Sequence, residues 1–361
     1  MKTSIAAAAA LLATTSLAQA GGIERSTQSM AILFEEGTHA ELSFSRVFPS
    51  TSGTVGGVVG SGNVSPGYNN FALRYRQDIT DQLSFALIIE NHIGADVSYP
   101  AGTGYPLAGT TAELRADSVT ALFRYEFPSN FSIYGGARAA RISGDVFLPP
   151  VGAGYTLSTD TDTALGFVAG VAYEIPEIAL RVALTYNSEY THDLAATEGG
   201  IGPLSGTSTL EVTVPQSVLL EAQTGIAEDT LLFGSVRWVD WTEFQIAPAG
   251  YTNPLVVGAP LVEYRDDYIT YTIGLGRRFS DEFSAAISAS YEPEANSVRS
   301  NLGPTDGRIS VGLGGTYTMA NGIEIAAGVQ YGTVGNVTTS IGGDFRDNDF
   351  VAAGITFGMS F

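Results

Sequence analysis

Val351-Ala352-Ala353-Gly354-Ile355-Thr356-Phe357-Gly358-Met359-Ser360-Phe361 alternates larger residues with small or polar ones up to the last position. Successive side chains of an extended strand point to opposite faces, so this stretch predicts a strand with one apolar face. The pattern recurs upstream. Ile323, Ile325, Ala327, Val329 and Tyr331 alternate with Glu324, Ala326, Gly328 and Gln330. Phe283, Ala285, Ile287, Ala289 and Tyr291 alternate with Ser284, Ala286, Ser288 and Ser290. The second face holds Gly, Ser, Thr, Arg and Glu, which suits a lumen better than the outside of a soluble sandwich. A sandwich would bury the same apolar stripes, so alternation alone does not choose between the two.

Connection lengths and the N-terminus choose. Tight turn signals fall at Thr80-Asp81-Gln82, Pro128-Ser129-Asn130, Pro176-Glu177, Glu228-Asp229, Ser280-Asp281-Glu282 and Ala320-Asn321-Gly322. Longer Gly- and Pro-rich stretches lie near 49–66, 97–110, 143–160, 190–206, 247–262, 293–306 and 332–346. Six short connections alternating with seven long ones join fourteen strands, among them 83–96, 131–142, 178–190, 207–223 and 230–246. Short periplasmic turns, long external loops and an even strand number are habits of outer-membrane barrels. The predicted fold is all-β: a fourteen-stranded antiparallel transmembrane β-barrel over 38–361, with a short N-terminal plug over 21–37.

Residues 1–20 read as a secretory leader: Lys2, an apolar run from Ile5 to Ala13, and the small-x-small site Ala18-Gln19-Ala20. Lys2 is the only lysine, so Arg supplies every permanent cation after cleavage. The chain has 361 residues, 43 Gly, no Cys and a formal charge of −20. The missing Cys excludes disulfides and thiolate chemistry, and the negative charge disfavours nucleic acid as a partner. No run of about 18 apolar residues follows the leader, which excludes a transmembrane helix there. Three His and no Cys give no metal-ligand spacing, and no Gly-x-Ser-x-Gly elbow accompanies His192-Asp193. The expectation is a protein that is not an enzyme and holds neither metal nor cofactor.

An ordered set of motifs resembles a known family. Thr213-Val214-Pro215-Gln216-Ser217 opens a strand and is followed by Trp238-Val239-Asp240-Trp241-Thr242-Glu243-Phe244. Tyr264-Arg265-Asp266-Asp267-Tyr268, Ser290-Tyr291-Glu292-Pro293 and Pro304-Thr305-Asp306-Gly307-Arg308 come next. The set resembles the outer-membrane long-chain fatty-acid and hydrophobic-compound transporters of the FadL/TodX type, over nearly the whole chain after the leader. That resemblance implies a monomeric barrel closed by an N-terminal plug. Hydrophobic ligand would be captured among extracellular loops and leave sideways where the third strand kinks inward, without ATP or cofactor. The family's Asn-Pro-Ala motif near the plug is absent; Ser29 to Glu36 occupies that region.

Candidate residues follow. The third strand contains Asn91-His92-Ile93-Gly94, and a glycine within a strand marks a bulge or bend. With the resemblance, Asn91, His92 and Gly94 are the expected lateral gate. Phe147, Leu148, Val151 and Leu204 sit in two neighbouring loops, and exposed apolar loops bind something; they are the expected capture groove. Parity points Arg138 and Arg308 inward near the external end, as candidate anchors for a ligand carboxylate. Arg74, Arg76, Arg124, Arg181 and Arg278 also point inward, nearer the other end, where lumenal acids are their expected partners. Arg141 points outward at the rim, towards outer-membrane lipid and lipopolysaccharide. Trp238 and Trp241, three apart on one strand, fall on opposite faces. The expected cargo is a long-chain fatty acid or another hydrophobic small molecule. The alternatives are an uptake channel for aromatic hydrocarbons and a general porin for small solutes.

Overall fold

The computed structural model describes residues 23–295 and 297–361; the expected leader, 1–20, lies outside the described residues. Fourteen strands form the wall. The first seven are β1 (His39–Ser50), β2 (Tyr68–Asp78), β3 (Leu83–Ser98), β4 (Thr111–Glu126), β5 (Phe131–Leu148), β6 (Asp162–Ile175) and β7 (Leu180–Asn187). The rest are β8 (Ser217–Ala227), β9 (Thr230–Val239), β10 (Tyr268–Arg278), β11 (Phe283–Glu292), β12 (Asp306–Thr318), β13 (Ile323–Gly335) and β14 (Asn348–Ser360). Every strand pairs antiparallel with its neighbours in sequence, and β1 pairs with β14 from His39–Ser360 to Ser50–Asp349. The sheet is therefore closed into a barrel, which pairs the backbone without solvent along all of the wall but one stretch between β2 and β3.

The alternation sets the faces as expected. On β14, Val351, Phe357 and Met359 are exposed outwards while Ala352 is fully buried. Outward aromatics form two girdles. Tyr125, Phe131, Phe279, Phe283 and Tyr317 lie near the short turns, and Tyr271, Tyr291 and Tyr331 near the long loops. An apolar band between aromatic girdles is the surface a bilayer requires.

Two expected spans are corrected. The span 207–223 is two elements: Gly206–Val214 pairs with Tyr190–Gly199 in a hairpin beyond the wall, and β8 begins at Ser217. Pro215 lies between them; it has no N–H for a ladder and ends the first strand. The span 230–246 also stops early. β9 ends at Val239, and Trp241–Glu243 is a 3₁₀ turn folded into the mouth. Trp241 is buried there, whereas the Trp238 indole donates to Asp267 at 3.0 Å on the wall.

Among the described residues, the two largest buried apolar clusters lie at opposite ends of the interior. Nearer the short turns, Met30, Ile32 and Leu33 pack on Ile88, Leu122, Tyr134 and Val168 inside the barrel. Ala31–Phe34 is a 3₁₀ turn, so residues 23–38 run through the lumen before β1 starts. At the long-loop end, a larger cluster joins the top of the wall to the loops, with Tyr155, Leu194, Leu210, Trp241, Phe244 and Tyr264 among its members.

Candidate functional site

β2 and β3 pair only from Asp78–Ser84 to Ala72–Glu90, although β3 continues to Ser98. Beyond that point the wall has a gap between Tyr68–Phe71 and the upper part of β3. Its cause is local. The β3–β4 register shifts between Asn91 and Ile93, so His92 is an extra residue. An extra residue bends the strand and exchanges its faces. Below the bulge Ala86, Ile88 and Glu90 are buried; above it Ile93 and Val97 are buried. One strand thus offers a carboxylate to the lower lumen and aliphatic side chains to the mouth.

The residues expected at a gate all lie here. Asn91 Oδ1 accepts from the Phe71 N–H at 2.9 Å, replacing the backbone carbonyl that β3 no longer supplies. Its amide Nδ2 donates to Asp117 at 2.6 Å. His92 is fully buried, with Nε2 2.6 Å from the Tyr190 hydroxyl of the mouth hairpin. Gly94 faces the lumenal segment: a Cβ there would stand 2.6 Å from Arg25 Nε and 3.1 Å from the Leu114 carbonyl.

The start of the described chain occupies the gap. Arg25 N–H donates to the His92 carbonyl at 2.9 Å, and Gly94 N–H donates to the Ile23 carbonyl at 2.8 Å. Residues 23–25 act as a short substitute strand. The Arg25 guanidinium lies 3.9 Å from the centre of the Tyr68 ring and pairs with Asp96 at 2.5 Å, bridging the two sides of the gap.

Further along, the segment is fixed by charges the wall turns inward. Glu24 pairs with Arg237, both buried. Gln28 accepts from Arg138, whose Nε donates to Thr120 at 3.0 Å. Arg138 Nη2 and Arg237 Nη1 are buried without a hydrogen-bond partner. Arg308 is also buried and faces the lumen, 5.9 Å from the Phe350 ring. Arg124 donates to the Leu33 carbonyl at 3.2 Å and pairs with Glu174. Arg124 and Arg181 each lie 4.6 Å from the Phe34 ring centre. Arg74 lies 3.6 Å from Glu90, Arg76 pairs with Asp78, and the more exposed Arg278 pairs with Asp229. Burial together with Glu41 pushes the Glu35 carboxyl up to about 7, against the pull of His39 and Arg181. Arg237 was legible from parity, since it alternates with outward Val236 and Trp238; the pairing with Glu24 was not.

Above this layer lies an apolar cavity of about 60 Å³, lined by Ile23, Val97, Leu114, Val146, Leu210 and Phe244 among others. That volume holds only a few waters, so an alkyl chain needs the lining to move. Leu148 is buried in the mouth cluster, and Val151 and Leu204 pack against it. Phe147 has outward parity and is 41% exposed. Arg141 is also outward, 3.7 Å from Asp117. One carboxylate ties the loops together: Glu198 accepts from the Tyr155 hydroxyl and from the N–H groups of Gly250 and Tyr251, each at 2.8 Å. Sequence inspection gives no sign of this clamp, because two of its three donors are backbone groups of a distant loop.

The profile of the outer membrane protein transport protein family (OMPP1/FadL/TodX) matches residues 60–347. The chain belongs to this family. Solved structures share its architecture. A FadL homologue of Pseudomonas aeruginosa is 15% identical with a TM-score of 0.73, over 92% of each chain. The Pseudomonas putida toluene transporter TodX is 13% identical with a TM-score of 0.68, over 96% of this chain and 97% of that one. The Ralstonia pickettii toluene transporter TbuX is 14% identical with a TM-score of 0.62, over 97% of each. No curated protein matches the sequence. As a FadL/TodX family member the protein is an outer-membrane transport barrel, and at these identities the structural likeness speaks for the fold alone.

Proposed function

We propose that this barrel takes up hydrophobic molecules, long-chain fatty acids foremost, and releases them sideways through the β2–β3 gap. One observation carries the reading: Ile23 lines the apolar cavity and also holds Gly94 through its carbonyl. A chain that enters the cavity competes with Ile23 for the same space. Displacing Ile23 frees the Gly94 N–H and withdraws the substitute strand from the gap. Entry and lateral release are then coupled through residues 23–25, and residues 23–38 serve as the plug.

The direction follows from the ends, because long loops face outwards in barrels of this kind. Leu148, Val151 and Leu204 give the mouth its apolar walls, and each buried CH₂ of a ligand contributes about 0.8 kcal/mol. A fatty acid fits better than an aromatic hydrocarbon for one reason: Arg138 keeps an unpartnered N–H below a mainly aliphatic cavity, ready for a carboxylate. The closed wall supports a monomer, and outward Arg141 supports contact with lipopolysaccharide.

The test is labelled oleate uptake, beside labelled toluene, in Gram-negative cells lacking their own fatty-acid transporter. A heat-modifiable gel shift checks folding. Oleate above the empty-vector control supports the reading. Toluene alone moves the assignment to aromatic cargo, and steady ion conductance with neither moves it to a general porin.

A further inference from the structure

Across the barrel from the gap, the lipid-facing side of β8, β9 and β10 carries a groove of about 380 Å³. Its walls are Leu220, Leu232, Val236, Tyr271 and Ile273, all exposed. Its floor is Ala222, paired with Gly234 across β8 and β9. Glycine is needed at that place, because a Cβ on Gly234 would stand 2.7 Å from the Thr272 carbonyl. Two small residues among five large ones sink the floor below the surrounding side chains.

A cation sits below the groove. Arg277 is exposed and takes outward parity on β10 with Tyr271, Ile273 and Leu275. It stands about 13 Å along the strand from Ile273, at the end that carries the short turns. Its Nη1 donates to the Thr230 hydroxyl at 3.3 Å, and it makes no ion pair among the described residues. Asp229, in the adjoining turn, is taken by Arg278, whose Nε donates to it at 2.8 Å. An arginine on a lipid-facing surface lays its stem along the apolar wall and sends its head to the interface. Short turns face the periplasm, so this interface belongs to the inner leaflet. The anions at that level are the phosphates of glycerophospholipids, whose oxygens match a guanidinium fork.

We infer that the groove and Arg277 together form a site for one glycerophospholipid of the inner leaflet. The guanidinium donates to the phosphate. One acyl chain rises past Leu232 and lies in the groove against Ala222 and Gly234. The cation sets the head group and the groove sets the chain, so a lipid that has both is held longer than one passing along the wall. The site is independent of the transport reading, because it lies on strands whose pairing is unbroken.

The test is native mass spectrometry of the folded barrel in detergent. It is titrated with palmitoyl-oleoyl phosphatidylglycerol, or with the matching diacylglycerol, which keeps the chains and loses the phosphate. The wild type should hold one phosphatidylglycerol per barrel and bind the diacylglycerol about tenfold more weakly, as expected for a lost hydrogen bond to a charged group. Arg277→Gln should weaken phosphatidylglycerol binding by the same factor and leave the diacylglycerol unchanged. Ala222→Leu, which fills the floor, should weaken both lipids, and it alone decides should Arg277→Gln fail the gel-shift check. Equal phosphatidylglycerol binding by the wild type and Arg277→Gln overturns the inference, and so does a wild type that binds both lipids alike. Unchanged binding by Ala222→Leu overturns the placement of the chain. A barrel dimer that Ala222→Leu dissociates would give the groove to a second copy and overturn the inference as well.

Discussion

On the far side of the barrel β9 and β10 pair without a break from Thr230–Arg277 to Val239–Tyr268, whereas β2 and β3 part at Ala72–Glu90. Both regions must satisfy their backbone away from water. The far wall does so with neighbouring strands alone. The near wall uses a side chain, Asn91, and three residues of a lumenal segment. Continuous ladders seal permanently; borrowed partners seal only while they stay seated. On the proposed reading the difference marks the part of the wall that moves, and substitutions on the two sides should behave differently.

The largest effect is expected at Glu24–Arg237. Arg237→Ala leaves a buried carboxylate without its partner, a loss of roughly 3–5 kcal/mol from seating of the segment. Planar-bilayer recordings should show raised steady conductance, with the wall still folded by gel shift. Conductance as low as the wild type's would mean that the pair does not hold the segment.

Next comes pH. The Glu35 carboxyl is raised to about 7 in the seated segment, from an ordinary value near 4.5. A raised acid stabilises the seated state fully below its unfolded value and loses that contribution as pH rises through about 7. The span corresponds to something on the order of 3 kcal/mol. Conductance should therefore rise from about pH 4.5 to just above 7 and level off beyond that, and Glu35→Gln should flatten the profile. A wild-type profile already flat would remove Glu35 from the control of the segment.

Glycines give the direct contrast. Gly94→Ala sets a methyl group against Arg25, and overpacking of this kind costs about 1–3 kcal/mol. On the far wall the nearest atoms to a Cβ at Gly276 are 3.9 Å away, an ordinary contact. Gly276→Ala should change stability by less than about 0.5 kcal/mol. Trypsin cleavage after Arg25 reads the difference: faster in the first variant, unchanged in the second. The smallest effect is expected at Phe147, where outward parity predicts that Phe147→Ser lowers oleate uptake less than Leu148→Ser does.

Much of the wall was legible in the sequence. Period two fixes which face a residue takes, and punctuation by Pro, Gly, Asn and Asp separates strands, so all fourteen wall strands correspond to alternating segments. The two misplaced spans share a cause: alternation continues through Val212 and Val214 beyond the wall, and through Val239 to Trp241 as the chain turns inwards. Period two reports an extended strand, not which strand lies beside it. The bulge at His92 was marked by Gly94 nearby, but the change of faces above it depends on pairing with β4.

Glu198 has a consequence for how the mouth can open. Tyr155 belongs to one loop, Glu198 to a second, Gly250 and Tyr251 to a third, and all three meet at one pair of oxygens. A loop that leaves takes away part of the solvation of a buried charge and weakens the remaining attachments. The three loops are then poorly suited to opening one at a time, and on the proposed reading admission becomes a single shared event that depends on one residue.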